Sequence, residues 1–215
     1  MRCETVRVKV CGITNWRDAK TAIDSGVDAL GFNFCSKSPR RIFASHAREI
    51  MRRMPKRVAV FGVFVNASSK EMVRIAKTTK VHALQLHGDE SPRTVRRLAR
   101  ELPVIKAFRV RPGFQASELL KYPDAAGFLL DGFDPSASGG TGKRFDWRIA
   151  RQAKRYGPVI LAGGITAQNV AAAVRCVRPF AVDVCSGVET YPGKKNARKI
   201  REFIVAVKGR RRNKK

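Results

Sequence analysis

Polar side chains of the kinds that do chemistry recur in this sequence at the ends of short β-branched runs. Lys9 and Cys11 close the first run, Gln85 and His87 the fourth, Asp131 the sixth, and Asp183 and Cys185 the eighth. Side chains alternate across a strand. If Val8 and Val10, Leu84 and Leu86, Phe128 and Leu130, and Val182 and Val184 face outward, the polar set shares the opposite face. Two glycine-bearing turns, Ala162–Thr166 after the seventh run and Cys185–Gly187 after the eighth, would present free amides to an anion such as phosphate. A third, Ser138–Lys143, is not a Walker-type loop, because its glycine spacing fails and Arg144 stands where Ser or Thr is required. The five cysteines (Cys3, Cys11, Cys35, Cys176, Cys185) include no CxxC pair, and His46, His82 and His87 are scattered. Neither a disulfide framework nor a metal site is expected, and reduced thiols fit better.

Those residues need elements to position them. The strand candidates are Val6–Cys11, Ala29–Phe34, Val58–Val65, Ala83–Leu86, Val104–Ala107, Gly127–Asp131, Val159–Ala162 and Ala181–Val184. Helix-like segments separate them. Ser68–Glu71 has the capping-box pattern, Thr14 or Asn15, Ser91 and Thr166 are further caps, and Gly26 suits a left-handed helix stop. Strands alternating with helices imply parallel pairing. Eight such units predict an α/β fold, a single-domain (β/α)8 TIM barrel, with a doubly wound open sheet as the runner-up. The barrel is expected over residues 1–207, with a disordered basic tail at 208–215. In a barrel the polar set lies at the strand ends where catalytic residues collect.

Composition sets the outer limits. The chain has 215 residues, 44% hydrophobic and 28% charged, enough for a full core. Its longest apolar stretch, Val58–Val65, is too short to span a bilayer as a helix, and Met1–Val10 has no signal-peptide core. A cytoplasmic protein without membrane partners is expected. The net charge is +27, of which the segment Lys194–Lys215, with eleven Lys or Arg against Glu202 alone, supplies +10. A basic surface and tail admit weak, non-specific nucleic-acid binding. No RNA-binding motif or stacking pattern accompanies the charge. A general basic or solubility adaptation explains it more simply.

The stretches Val8–Thr14 (VKVCGIT), Asp28–Phe34 (DALGFNF), Lys37–Arg40 (KSPR), Gly62–Asn66 (GVFVN), Leu84–Glu90 (LQLHGDE), Gly139–Trp147 (GGTGKRFDW), Leu161–Ile165 (LAGGI) and Ala181–Glu189 (AVDVCSGVE) occur in order. Together they resemble the phosphoribosylanthranilate isomerases of tryptophan biosynthesis, barrel enzymes, over nearly the whole chain. The resemblance implies an Amadori rearrangement of N-(5-phosphoribosyl)anthranilate to 1-(2-carboxyphenylamino)-1-deoxyribulose 5-phosphate. It implies Cys11 as general base, Asp131 as general acid, and Arg40 on the anthranilate carboxylate. Gln85, His87 and Asp183 would line the pocket, with Gly163, Gly164, Ser186 and Gly187 by the phosphate. Acid–base catalysis suffices for this chemistry, so no metal or organic cofactor is expected. The oligomeric state is left between monomer and homodimer.

Each residue also has a plainer reading. Unpaired cysteines mostly serve as small buried hydrophobes, Asp131 suits a loop cap, His87 a satisfied loop histidine, and Arg40 sits in a basic run with Lys37 and Arg41. A different sugar-phosphate isomerase on a related barrel is the rival within the fold. The chain departs from the family pattern at Cys185 (usually Ser), Cys35-Ser36, Arg41, Gly132-Phe133-Asp134 and Asn196. If the first and eighth strands are neighbours, Lys9 and Asp183 both point inward below the mouth and should pair, since an isolated charge there is costly.

Overall fold

Alternating inward and outward side chains on eight short strands close into a barrel. The computed structural model describes residues 6–132 and 146–209. The strands are β1 (Arg7–Cys11), β2 (Ala29–Asn33), β3 (Ala59–Phe64), β4 (Ala83–Leu86), β5 (Val104–Val110), β6 (Gly127–Gly132), β7 (Val159–Ala162) and β8 (Ala181–Val184). All pair in parallel with their sequence neighbours, and β1 closes on β8 with Lys9 opposite Asp183 and Val10 opposite Val184. This is the expected (β/α)8 barrel, not the open sheet. Among the described residues no helix is long and apolar enough to cross a membrane.

The sidedness read from the sequence decides two cores. Val8, Val10, Leu84, Leu86, Phe128, Leu130, Val182 and Val184 join the large cluster between barrel and helices. Ile105, Ala107, Leu129, Ile160, Ala162 and Ala181 fill the barrel interior. Burial on both faces is what parallel strands require. β5 runs three residues beyond its expected end, because Val110 continues the outward series into the outer core past the exposed Arg109.

The helices are α1 (Trp16–Asp24), α2 (Ala44–Arg52), α3 (Ser69–Thr79), α4 (Pro92–Ala99), α5 (Trp147–Ala153), α6 (Val170–Val177) and α7 (Ala197–Lys208). Asn15, Ser68 and Ser91 cap α1, α3 and α4 as expected. Gly26, at φ +94°, follows the end of α1. Thr166 is not the cap of α6: that helix starts at Val170, and Thr166 instead donates its amide to Asn169 Oδ1 in the preceding turn. Between β5 and β6 the crossover shrinks to a 3₁₀ turn, Ala116–Lys121, set between Pro112 and Pro123, which restrict helical backbone on either side.

Two features near the C-terminus were not expected. A small hairpin, β9 (Glu189–Tyr191) and β10 (Lys194–Lys195), turns on Pro192-Gly193, with Gly193 at φ +85°. Proline followed by a positive-φ glycine is the pattern of a type II turn. α7 also includes Lys208, whose ammonium pairs with Asp28 at 2.5 Å and donates to Gly26 O, so the barrel runs past 207. Cys3, the Ser138–Lys143 loop and the tail from Arg210 lie outside the described residues.

Candidate active site

Because all eight strands run the same way, their C-terminal ends share one mouth. Cys11 ends β1, His87 follows β4, Asp131 lies on the last turn of β6, and Cys185 follows β8. One row of side chains deeper, Lys9 donates to Asp183 Oδ2 at 2.8 Å, the pair foreseen from strand alternation. Burial opposes the Lys9 charge, but Asp183 and Cys11 outweigh it and hold its ammonium above the ordinary range. Burial pushes the Asp183 carboxyl up to about 6 against the pull of Lys9. Its other oxygen, Oδ1, is buried with no hydrogen-bond partner among the described residues.

Cys11 is buried and meets the Cys185 thiol within hydrogen-bonding reach. That bond, donated by Cys185, holds the Cys11 thiol well below the ordinary range; burial opposes it, and the charges of Lys9 and Lys195 add to it. The same bond and burial push Cys185 well above. Cationic neighbours favour a thiolate.

Gln85, His87 and Asp131 form a chain. Gln85 Nε2 lies 3.2 Å from His87 Nδ1, and His87 Nε2 lies 3.1 Å from Asp131 Oδ2. In the tautomer that accepts from Gln85 at Nδ1, His87 carries its proton on Nε2 and donates it to Asp131. The turn that carries His87 is pinned from below. Lys106, fully buried, donates to Gly88 O at 2.7 Å and to Glu90 Oε2 at 3.1 Å, while Glu90 accepts from the amides of Asn66 and Gly88.

Arg40 is not a freely solvated arginine. Its Nε and Nη2 grip the Glu189 carboxylate, with Nη2 to Oε2 at 2.7 Å. This fork–fork pair raises Arg40 further, burial opposing, and Arg40 in turn lowers Glu189 against its own burial. The arginine stem packs on Gly12, where a Cβ would come 2.8 Å from Arg40 Cδ. Glu189 also takes a hydrogen bond from Lys195 Nζ at 2.9 Å.

The predicted phosphate residues divide. Gly164, Ser186 and Gly187 line one cleft of about 540 Å³, with Thr166, Asn196 and Lys199 on its walls. Asn196 caps α7 by accepting from the amides of Arg198 and Lys199. Gly163 faces the acid instead: at φ +78°, a side chain there would strike Gly132 N and Asp131 Oδ1. A second cleft, of about 450 Å³, opens beside His87 and is lined by Arg109, Arg111, Phe108 and Tyr122. Among the described residues no group of three or more His, Cys, Asp or Glu could hold a metal ion.

Sequence reading missed Glu189, Lys195, Lys106 and Glu90. Lys195 lies inside the basic segment Lys194–Lys215, where nothing singles it out, yet it is buried. The one usable signal was Tyr191-Pro192-Gly193-Lys194, whose turn folds Glu189 and Lys195 back on each other.

The protein family described as N-(5'-phosphoribosyl)anthranilate isomerase matches residues 8–206. The N-(5'-phosphoribosyl)anthranilate isomerase of Trichlorobacter lovleyi is 48% identical over 204 residues, covering 94% of this chain and 98% of that protein. The crystal structure of phosphoribosyl anthranilate isomerase from Thermotoga maritima superposes with a TM-score of 0.90 at 42% identity, over 95% of this chain and 100% of that one. A structure of such an isomerase in complex with reduced 1-(o-carboxyphenylamino)-1-deoxyribulose 5-phosphate is 39% identical, with a TM-score of 0.86, over 95% of this chain and 100% of that one.

Proposed function

The chain belongs to the N-(5'-phosphoribosyl)anthranilate isomerase family of tryptophan biosynthesis, and we propose on that premise how its own residues divide the work. Asp131 protonates the furanose oxygen, the ring opens, and a protonated imine forms at C1. Cys11, as thiolate, removes the proton from C2. Those electrons flow into the imine, and the resulting enol tautomerises to the aminoketose. The protonated imine is itself the electron sink, so the step asks for nothing beyond an acid and a base.

The observation that carries this reading is a buried thiol, held low by Cys185, Lys9 and Lys195, opening on the same mouth as Asp131. His87 steadies the Asp131 carboxyl through Oδ2, and Gly163 leaves room at Oδ1. Arg40 keeps its Nη1 edge for the anthranilate carboxylate while Glu189 fixes the other edge. The amides around Gly164, Ser186 and Gly187 receive the phosphate. Gln85 and Asp183 form the polar floor below the ribose.

The chain should restore growth without tryptophan to an auxotroph lacking this isomerase alone. Cys11→Ala and Asp131→Asn should each lower kcat by about 10²–10⁴, the usual share of general acid–base catalysis, while a product-like aminoketose phosphate still binds. Well-expressed soluble protein that fails to complement would overturn the reading. Near-full turnover by Cys11→Ala would overturn the role of Cys11.

A further inference from the structure

The second thiol at the mouth exchanges no proton with the substrate in the rearrangement. Cys185 follows β8 as Cys11 ends β1, and the two strands run in register up to Val10 opposite Val184. Continued by one step past its last pair, that register would set Cys11 opposite Cys185. Adjacent strands lie about 4.8 Å apart, and a disulfide spans Cα separations of about 4.4–6.8 Å. Cys185 Sγ lies against Gly12, the residue after Cys11, where a Cβ would come 3.0 Å from it. Cys185 lies past the end of the β8 ladder, with φ −123° and ψ −84°, so the strand pairing does not pin its backbone.

Each sulfur has its own buried ammonium. Lys9 Nζ and Cys11 Sγ converge on Gly31, where a Cβ would come 3.0 Å and 2.7 Å from them, and Lys195 Nζ lies 3.7 Å from Cys185 Sγ and 3.2 Å from its carbonyl oxygen. Two thiols serving only as filler would need no charge beside them. Of the two, Cys11 stands where a thiolate is favoured, the form that oxidants attack, while Cys185 is held as the thiol. The other described cysteines differ: Cys176 is exposed on the outer helix α6, and Cys35 follows β2.

We propose that Cys11 and Cys185 form a peroxide-responsive dithiol, a modification site that closes as a disulfide across β1 and β8 and silences the enzyme until a thiol reductant reopens it. The Cys11 thiolate attacks the peroxide O–O bond, taking one oxygen to become a sulfenic acid and releasing hydroxide. The Cys185 sulfur then attacks that sulfenic sulfur, the S–O bond breaks, and water leaves with the Cys185 proton. Hydroxide takes up the proton that Cys11 gave to solvent. Two thiols and one peroxide become one disulfide and two waters, and the two electrons pass from sulfur to peroxide. The disulfide uses up the thiolate that removes the C2 proton. It also shelters Cys11 from the irreversible sulfinic stage.

The loss of activity rests on Cys11 as the base, whereas the bond itself can be read without any turnover. Reduced full-length protein is treated with hydrogen peroxide, the remaining thiols are alkylated, and the tryptic peptides are sequenced by mass spectrometry without reduction. The tryptic peptide Val10–Arg17 should appear joined through Cys11 to Cys185, two hydrogens lighter than the separate pair. Turnover should fall by about 10²-fold or more, the share of a general base, and return to its starting value with dithiothreitol. Cys185→Ser, compared with its own untreated activity, should lose turnover to peroxide and not regain it, because its Cys11 proceeds to sulfinic acid. The proposal is overturned if Cys11 of the native chain becomes sulfinic acid without a cross-link, or if it joins a different cysteine. It is equally overturned if the cross-linked protein keeps its turnover, or if Cys185→Ser recovers as fully as the native chain. If Cys11→Ala proves active, the assignment of the base fails while the mass measurement still decides the disulfide.

Discussion

Removing one member of the Lys9–Asp183 pair should destabilise the barrel far more than removing both. The two groups meet at 2.8 Å with side-chain exposures of only 2% and 7%. Burial outweighs the Lys9 attraction at Asp183, whose carboxyl is pushed up to about 6, so the pair is not itself a large source of stability. A single replacement nonetheless strands a charge in the barrel interior, which costs about 3–5 kcal/mol. In a chain of this size each kcal/mol moves Tm by about 2–4 °C, so each single variant should lose about 6–20 °C. The two singles should differ with pH. Asp183→Leu strands an ammonium that stays charged, and its deficit persists in acid. Lys9→Met strands a carboxyl that can take up a proton. An Asp whose folded pKa is raised contributes stability fully present below its unfolded value of about 3.9 and lost as pH rises through the folded value. Without Lys9 that folded value lies above the present one of about 6. The Lys9→Met deficit, taken against the parent, should therefore shrink as pH falls from the variant's raised folded value toward about 6, below which both carboxyls are protonated. The double variant Lys9→Met/Asp183→Leu leaves no charge behind and should recover most of the loss or exceed the parent. Urea unfolding followed by tryptophan fluorescence, at neutral and acid pH, gives the four free energies of the cycle. Singles costing under about 1 kcal/mol, or a double variant equal to their sum, would refute the reasoning.

A thiolate base already formed at neutral pH should give a kcat/KM profile with no rising limb near 8.5, where an ordinary thiol titrates; Lys195→Met should move the Cys11 titration upward, read as thiolate absorbance. A profile that climbs through 8.5 in the native chain would contradict the lowered Cys11 thiol. Gly163→Ala should cost turnover well beyond its effect on stability, because the new methyl group strikes Asp131 Oδ1 and Gly132 N from a backbone at φ +78°; near-native kcat would show that Asp131 tolerates displacement. If the basic tail binds nucleic acid, affinity should fall steeply with salt and the slope should flatten when residues 209–215 are deleted, with turnover unchanged. Finding no binding at low salt would leave only the general basic adaptation.

What could be read from the residues alone follows from the period of a strand. Because successive side chains point to opposite faces, Val8 and Val10 already imply that Lys9 and Cys11 face inward, and the same holds around Gln85, Asp131 and Asp183. Eight alternations imply closure, and closure puts Lys9 beside Asp183, so even that pair was legible. Capping chemistry is local as well, which is why Asn15, Ser68 and Ser91 were placed correctly, while Thr166 failed because the turn after it stayed non-helical. Other contacts depend on where loops land after the barrel closes, and no local period records that. Arg40 meets Glu189 across 149 residues of chain, and Lys194 and Lys195 reach Asp18 across 176 and 177. Lys195 carries no mark in the sequence that separates it from the solvated lysines around it. Only the turn at Pro192-Gly193, folded against the β8 end, carries its ammonium out of water and onto Cys185. The sequence determined which side chains face the barrel's interior, because alternation is a property of each strand. The tertiary structure decided which charges lie beside the Cys11 thiol, and so its reactivity, because a pKa depends on burial and distance, which belong to the closed barrel and not to any one segment.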